Sequence, residues 1–379
     1  MAGGSGTMEP RRQGQNWDVA VVGGGVIGLA CAWRLAGAGA SVVVLEREEP
    51  GAGASRVAAG MLAPVGESDF GEDRLLDQTL AAAEAYPAFV AELESVSGLE
   101  TGYARCGALH VALDRDEAAE LRRRHELHRR LGLEAEWLGP RACRRLEPGL
   151  APSFNGGVHV PGEAVVDPRA LVAALRVAAR EAGVEVRAGV EVAGAVLEGD
   201  RITGLRMTGG EEIGCGNAVL AAGAWSGAAE LLPAEARPPV RPVKGQILEL
   251  RGPAGEPVCE RIMGSERVYV VPRGDGRVIV GATVEEMGFD TRVTAGGVHE
   301  LLREAYRLLP DVAELELVEA TAGLRPGTPD NLPLVGPGAV DGLVLAAGHF
   351  RNGILLAPLA AEAVVAAVTG ARVPEEAVR

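Results

Sequence analysis

The chain has 379 residues, more than one hydrophobic core usually covers, so we expect about two domains. Its hydrophobic content of 47% is typical of a globular protein. The formal net charge of -15 disfavours nucleic acid and anionic membranes as partners, because the overall field of the protein would repel both.

The chain begins with a strand, a glycine-rich turn and a helix within residues 18–47. An apolar run at residues 19–22 predicts a buried strand, which ends in glycines spaced G-x-G-x-x-G at Gly23, Gly25 and Gly28. In dinucleotide-binding folds these glycines allow, in turn, a tight turn, close approach to a pyrophosphate and helix-to-strand packing. The unit predicts a dinucleotide site, with an unliganded glycine-rich turn as the alternative.

The helix and strand after the glycines complete this unit. A helix should start at Val26 and stop near Gly37, and a second strand should cover residues 41–45. Glu46 follows, at a position where a carboxylate can accept hydrogen bonds from an adenosine ribose. Because its charge would repel a 2′-phosphate, Glu46 argues against NADP but leaves FAD and NAD open.

The following stretch, residues 51–64, is rich in small residues. We expect this loop to lie along the cofactor, with a plain surface loop as the alternative. Helices are predicted over residues 73–99 and 116–131. In the second helix His125 and His128 are three positions apart, whereas the histidines of a zinc helix are four apart, so we expect a surface pair and no metal.

The middle of the chain returns to alternating helix and strands. A helix over residues 167–181 has Asp167 as its predicted N-cap and Pro168 at its first position. Four strands are predicted after it, at residues 184–187, 190–197, 202–208 and 217–222. The last of them should rejoin the first sheet, and a proline-rich stretch at residues 237–242 indicates a boundary.

The C-terminal part begins with alternating strands. Strands at residues 246–250, 268–272 and 277–281 predict an antiparallel substrate domain, and a helix is expected over residues 294–309. An apolar strand at residues 343–347 then leads through a glycine-containing loop into a helix that extends to residue 367. This repeats the strand-to-helix turn of the N-terminus and offers a second helix dipole to an anionic or electron-accepting group.

Several features bear on compartment. The five cysteines are scattered without a C-x-x-C pair, which indicates reduced thiols and no zinc site. No apolar run reaches the roughly 18 residues of a membrane span, and no signal sequence is evident, so we expect a cytoplasmic protein. Residues 1–16 are expected to be a disordered extension. Lys244, the only lysine, is interpreted as a structural residue at a strand end.

The two ends of the chain together resemble the D-amino-acid oxidase family of FAD enzymes, and most of all its glycine oxidases of bacterial thiamine synthesis. The stretches that carry the resemblance are VVGGGVIGLACAWRLA, GASRVAAGML, RPVKGQ, VYVVPRGDGRVIVGATVEEMGFD, TAGLRPGTPDNLPLVGP and GHFRNGILLAP. The glycine-rich start is shared by many flavoproteins, whereas the last two stretches are far more specific.

The resemblance implies an α/β fold, α+β overall, with two domains. A Rossmann-like FAD-binding domain would be built from residues 17–78, 156–228 and 325–373, and a substrate domain with an antiparallel sheet from residues 79–155 and 229–324. FAD is expected without a covalent link, because the covalent relatives have a cysteine in the C-terminal part and none follows Cys259 here. The family also implies a homo-oligomer, a homotetramer.

The resemblance further implies which residues contact the ligands. The substrate carboxylate is expected on Arg325, Arg351 and Tyr269, and no acid or base residue is assigned. FAD contacts are expected at the fingerprint glycines and at Val26, Ile27, Glu46, Arg47, Ala54, Ser55, Ala59, Gly60, Met61, Val192, His349, Phe350, Arg351, Asn352, Gly353, Ile354 and Leu355. Arginine suits a buried carboxylate because its planar fork can donate two parallel hydrogen bonds.

The implied reaction is oxidative deamination of glycine, and of small amines such as sarcosine. A hydride passes to the flavin, the imine yields glyoxylate and ammonia, and O2 reoxidises the flavin to hydrogen peroxide; the imine would serve the thiazole moiety of thiamine. The alternatives are a dehydrogenase or oxidase of another small amino acid or secondary amine, an NAD-linked dehydrogenase and a flavin-binding module without turnover.

Overall fold

A computed structural model describes residues 16–228, 232–253 and 255–371. The expected disordered extension lies outside the described residues except for Asn16, which begins the first strand. Within the described ranges, no helix combines the length and the apolar character needed to cross a membrane.

Eight α-helices are described. They are α1 (Val26–Gly37), α2 (Ala54–Val57), α3 (Asp73–Ser97), α4 (Arg115–Arg130), α5 (Pro140–Leu146), α6 (Pro168–Glu181), α7 (Ala295–Leu308) and α8 (Gly353–Thr369) in the described part of the chain. Short 3-10 helices cover Gly223–Trp225, Ala234–Ala236 and Pro310–Glu314.

The strands alternate with these helices. They are β1 (Asn16–Val22), β2 (Val42–Glu46), β3 (Met61–Leu62), β4 (Ala104–Arg105), β5 (Ala108–Val111), β6 (Glu136–Leu138), β7 (Gly157–Val160), β8 (Ala164–Val165), β9 (Glu185–Ala188), β10 (Val192–Glu198), β11 (Arg201–Met207), β12 (Glu212–Leu220), β13 (Arg241–Arg251), β14 (Ile262–Gly264), β15 (Tyr269–Pro272), β16 (Arg277–Gly281), β17 (Glu316–Gly327), β18 (Leu334–Pro337) and β19 (Leu343–Ala347).

The first sheet has a parallel centre. Its strands run in the order β10-β11-β12-β1-β2-β9, with β19 parallel to β12 and β18 antiparallel to β19. Helices α1, α3, α6 and α8 contribute to the core against it, including the fully buried Leu29 and Leu175. Because parallel strands place their carboxyl ends at one edge, the turns after β1, β2 and β19 can meet around one ligand.

The second sheet is mainly antiparallel, in the order β17-β13-β16-β15-β14-β5-β7-β6. Helix α7 packs on it through Leu301, Ala305 and Leu308. The predicted combination of a parallel sheet and an antiparallel sheet in an α/β protein is thus confirmed. The proposed domain limits stay predictions.

The structure differs from the sequence predictions at one strand and at one histidine. The strand predicted at residues 246–250 is the longer β13, which includes part of the expected proline-rich boundary, because β13 pairs along its whole length with the unpredicted β17. The expected surface pair is also wrong for His128, which is 2% exposed, with its Nε2 3.0 Å from Ser68 Oγ.

The side chain of Asp167 links helix α6 to the second sheet. It caps α6 by accepting from the backbone N–H groups of Arg169 (2.9 Å) and Ala170 (3.3 Å), and it accepts from Arg277 Nη2 on β16 (2.9 Å). Burial by itself would raise the pKa of Asp167, but the hydrogen bond from Arg277 and the charge of Arg273 bring it below its ordinary value.

We expect Asp167→Ala to lower the free energy of unfolding by about 1 kcal/mol more than Asp167→Asn, because asparagine keeps the helix cap and alanine does not. Both variants lose the charged contact with Arg277. Since the folded-state pKa of Asp167 is lowered, this contribution is present above the unfolded-state pKa of about 3.9 and is lost as pH falls through the folded-state value. Urea unfolding at neutral and acid pH measures both effects, and equal midpoints for the two variants would contradict the capping role.

Candidate functional site

A cavity of about 870 Å³ extends from the carboxyl edge of the first sheet to the face of the second. It is lined by the ends of β1, β2 and β19, by the loop before β3, and by residues of β13, β15 and β17. Its volume lies within the range of roughly 300–1,000 Å³ that is usual for ligand sites. The parallel sheet therefore contributes one end of the cavity and the antiparallel sheet the other.

The glycine-rich turn lies at the first end. Gly23 has φ +106°, and a Cβ atom on Gly28 would lie 1.9 Å from the Gly23 carbonyl oxygen. Gly23 and Gly25 line the cavity, whereas Gly28 packs the helix against the turn. Helix α1 begins here without a side-chain cap from Gly25, and Val26 N–H donates to Ser55 Oγ over 3.0 Å. The positive end of the α1 dipole thus faces a site suited to phosphate.

Glu46 lies beside this turn. Its Oε2 accepts from Gly24 N–H over 2.7 Å and its Oε1 accepts from Glu48 N–H over 2.9 Å. Each carboxylate oxygen keeps further acceptor capacity, so ribose hydroxyls could still donate to it. The same carboxylate thus holds the turn and borders the cavity.

Two aromatic side chains, Trp225 and Phe289, line the cavity close to Glu46 and Arg47. The Arg47 guanidinium lies 3.8 Å from the centroid of the Trp225 ring, which stacks on Phe289 at 5.6 Å. Sequence reasoning did not select either aromatic residue. Phe289 could not be selected because it lies in an irregular segment that reaches the cavity only in the folded chain.

The small-residue loop before β3 lies along the cavity, as expected from its sequence. Ala54, Ser55, Ala59, Gly60 and Met61 all line it, and Val192 lines it from β10. Gly60 is required here because it has φ +73° and a Cβ atom would lie 2.0 Å from the Val166 carbonyl oxygen. The loop runs between the two ends of the site.

The start of α8 forms another wall of the cavity. His349, Phe350, Arg351, Gly353 and Ile354 line it, whereas Asn352 and Leu355 do not. Asn352 instead occupies the N-cap position, without a side-chain cap, and Leu355 is 2% exposed in the core.

His349 is the polar group buried at this wall. Its Nε2 has no hydrogen-bond partner among the described residues. Burial lowers its pKa to about 4, so the ring is neutral at neutral pH. An orphaned ring nitrogen and a second uncapped helix start suit a polar, electron-accepting ligand group.

Arg325 is one of two arginines at the second end of the cavity. It lies on β17 and donates from Nη1 to the carbonyl oxygens of Thr283 (3.1 Å) and Lys244 (3.4 Å). Its guanidinium lies over Gly245, where a Cβ atom would be 2.3 Å from Nη1. The missing side chain of Gly245 therefore provides the space that Arg325 occupies.

Tyr269 occupies a similar position on β15. Its ring lies over Gly281, where a Cβ atom would be 2.4 Å from the hydroxyl oxygen. Burial raises the pKa of Tyr269 to about 12, although the charge of Arg325 opposes the shift. The hydroxyl is therefore protonated at neutral pH and can donate to an anion beside Arg325.

Arg351 is the more exposed of the two arginines. Its Nη2 is 3.5 Å from Glu72 Oε2, and Asn331 Nδ2 donates to Glu72 Oε1 over 2.7 Å. The structure thus brings Arg325, Arg351 and Tyr269 to one cavity. It also adds Glu67, which the sequence reasoning did not select because an acidic residue in a loop carries no distinctive pattern.

Lys244 departs from its expected place. It lies inside β13 rather than at its end, is 1% exposed at its side chain, and its Nζ is 3.4 Å from Glu285 Oε2. It does not line the cavity, unlike its neighbour Gly245. Across the described ranges no group of three or more His, Cys, Asp or Glu is placed to hold a metal ion.

Comparison with known proteins identifies the relatives of this fold. Residues 18–367 match the DAO family, described as FAD dependent oxidoreductase. A glycine oxidase of Geobacillus kaustophilus is 36% identical over 350 residues, which cover 90% of each chain. The crystal structure of glycine oxidase from this organism superposes with a TM-score of 0.88 at 35% identity, covering 94% of this chain and 95% of the other.

Two further relatives extend the comparison. The bifunctional protein ThiO/ThiG of Synechocystis is 40% identical over 349 residues, which are 91% of this chain and 50% of the relative. This chain therefore spans about half the length of that curated relative. The crystal structure of iminodiacetate oxidase from Chelativorans has a TM-score of 0.85 at 30% identity, covering 94% of this chain and 96% of the other.

The residues of the cavity fit FAD, the cofactor of this family. The fingerprint turn, Glu46, the small-residue loop and the start of α8 would hold it. No cysteine is among the described residues that line the cavity, so a covalent link through cysteine has no candidate there, and an FAD without a covalent link stays a prediction.

We expect Glu46→Ala to lose FAD during purification, because unpaired ribose hydroxyls and backbone N–H groups cost on the order of 1–3 kcal/mol. Glu46→Gln, which keeps an acceptor oxygen, should retain more. The ratio of flavin to protein absorbance in the purified variants measures the loss. A full complement of flavin in Glu46→Ala would show that the ribose is held elsewhere or that the flavin is covalently attached.

Proposed function

This chain belongs to the DAO family of FAD-dependent oxidoreductases, and we propose that within it the protein oxidises glycine. The products would be the imine, and from it glyoxylate and ammonia, together with hydrogen peroxide. The observation that carries the proposal is the convergence of Arg325, Arg351 and the protonated Tyr269 on the cavity that fits FAD. These groups suit the carboxylate of a small amino acid.

The protein's own part in this reaction is to bind and orient the substrate. When bound, FAD supplies the two-electron acceptor, and O2 then takes the electrons to form hydrogen peroxide. Arg325 is held by two carbonyl oxygens, so its remaining N–H groups are preorganised for a carboxylate. Holding the substrate in one orientation brings its α-carbon to the cofactor without an acid or base at that carbon.

The size of the substrate is also constrained by this arrangement. Arg325 and Tyr269 fill the space above Gly245 and Gly281, so the side chains proposed to hold the carboxylate also take up volume at this end of the cavity. A substrate without a bulky side chain suits such a site. The glycine oxidase of Geobacillus kaustophilus, at 36% identity over most of both chains, supports the same substrate.

A secondary amine is the second candidate substrate. It is favoured by the similarity to iminodiacetate oxidase, whose substrate by name is a secondary amine. Sarcosine keeps the carboxylate that the arginines would hold and adds only a methyl group on nitrogen. Hydrogen peroxide release from glycine, sarcosine and iminodiacetate at equal concentrations ranks these substrates.

The proposal also includes a use for the imine that the reaction forms. The similarity to a protein named ThiO/ThiG supports supply of the imine for the thiazole moiety of thiamine.

Family resemblance also supports a homotetramer. Light scattering should then give about four times the chain mass of 39.1 kDa, and a monomer mass would contradict this expectation.

We expect Arg325→Ala to raise KM for glycine about tenfold to a hundredfold, because one charge-assisted contact is worth roughly 1.5–3 kcal/mol. Arg325→Lys should also be impaired, since an ammonium keeps the charge but loses the planar fork. The matched variant Gly245→Ala leaves Arg325 in the sequence but displaces its guanidinium. Peroxide release from glycine and flavin content are measured for each.

All three variants should keep their flavin, because the residues changed lie at the opposite end of the cavity from Glu46. A parent protein that contains FAD but releases no peroxide from glycine would contradict the proposed function. Arg325→Ala with the KM of the parent would place the carboxylate elsewhere.

A further inference from the structure

Glu67 is a carboxylate at the substrate end of the cavity. It follows β3 in a turn in which its N–H donates to the Ala63 carbonyl oxygen over 3.1 Å. It lines the cavity together with Tyr269, Arg325 and Arg351. Its carboxylate lies within the electrostatic influence of Arg351, Arg325 and Glu72.

The turn that carries Glu67 packs against two side chains, those of Glu163 and His110. Gly66 N–H donates to Glu163 Oε1, and Glu163 is 1% exposed. A Cβ atom on Gly66 would lie 2.2 Å from His110 Nε2 and 2.9 Å from Glu163 Oε1. Gly66 therefore packs closely against His110 and Glu163, and its hydrogen bond to Glu163 positions the turn that carries Glu67.

The charges at this end balance when Glu67 is ionised. Arg325 and Arg351 are cations, and Glu72 pairs with Arg351. With Glu67, two positive charges face two negative ones. A zwitterion such as glycine can enter without changing this balance, since its carboxylate replaces Glu67 at the arginines while its ammonium faces Glu67.

We propose that Glu67 binds the amino group of the substrate and accepts a proton from its ammonium form. This inference rests on the proposed function. In the step, one N–H bond of the ammonium breaks and one O–H bond forms at a Glu67 carboxylate oxygen, with no change of oxidation state. The neutral amine that results has a free lone pair on nitrogen, which an ammonium lacks, and this lone pair is needed to form an imine.

The surroundings of Glu67 suit it to hold a proton. Burial raises its pKa above the ordinary value, the charges of Arg351 and Arg325 oppose that shift, and Glu72 reinforces it. Tyr269 faces the same space and is uncharged at neutral pH. Burial, with a smaller contribution from the charge of Glu67, raises the pKa of Glu163 to about 8, so this second carboxyl is mostly neutral at pH 7.

The test compares the FAD-loaded parent with Glu67→Gln, which keeps the size of the side chain and removes its charge. Asp69→Asn is the matched control, because Asp69 lies on the same loop, is exposed and does not line the cavity. Three experiments are made: steady-state kinetics with glycine for KM and kcat, titration with acetate followed by flavin absorbance for its dissociation constant, and the pH dependence of kcat/KM.

In Glu67→Gln we expect KM for glycine to rise about tenfold to a hundredfold, the usual effect of losing one charge-assisted contact. Acetate, which has a carboxylate but no amine, should bind as well as in the parent or more tightly. The rise of kcat/KM with pH should move to higher pH, because only glycine already deprotonated in solution could react. Asp69→Asn should match the parent in all three.

Other outcomes overturn the inference. Equal weakening of glycine and acetate would mean that Glu67 only positions the arginines. An unchanged KM for glycine would mean that Glu67 does not bind the amino group. A pH profile of kcat/KM that does not move would mean that Glu67 does not accept the proton. A parent that does not oxidise glycine would overturn the proposed function itself, whereas these variant results in a glycine-oxidising parent overturn the inference alone.

Discussion

The pairing of β13 with β17 is the contact on which the arrangement of the site depends. It extends from Arg241 opposite Gly327 to Arg251 opposite Glu316. In this register, Arg325 lies two positions along β17 from the residue that pairs with Gly245. Its guanidinium therefore lies over Gly245, which leaves space for it because it has no side chain. From the end of β17 the chain passes within a few residues to β18 in the first sheet. The substrate end of the cavity is thus joined to its cofactor end by strand β17, which is hydrogen-bonded to β13, and by the short connection from β17 to β18.

The cavity separates its charges along its length. At the first end, two helix starts and backbone N–H groups face a region bordered by Glu46. At the second end, two arginines face Glu67. The first arrangement suits a ligand that carries phosphates and hydroxyls, and the second suits a small zwitterion. The net charge of the chain therefore says little about the site, because the local charges are paired where the ligands bind.

The sequence predicted the parts of the molecule that local signals determine. The fingerprint glycines, the cap of α6 by Asp167 and the small-residue loop before β3 each have a pattern within a few residues, and the structure has them where expected. Strand β17 was not predicted, although resemblance selected Arg325 within it, because its pairing with β13 joins residues about 75 apart. Glu67 and Phe289 were also missed, because each lies in an irregular segment without a distinctive pattern and only the folded chain brings it to the cavity.

The burial of Lys244 has a chemical consequence for a protein proposed to make imines and glyoxylate. Such products are carbonyl-type electrophiles, and they form Schiff bases with unprotonated amines. Lys244 is the only lysine of the chain, and it is 1% exposed at its side chain and paired with Glu285. The positive surface groups are arginines, whose guanidinium stays protonated and is a poor nucleophile. A released aldehyde therefore meets no exposed lysine amine with which to form a Schiff base on the surface of the protein.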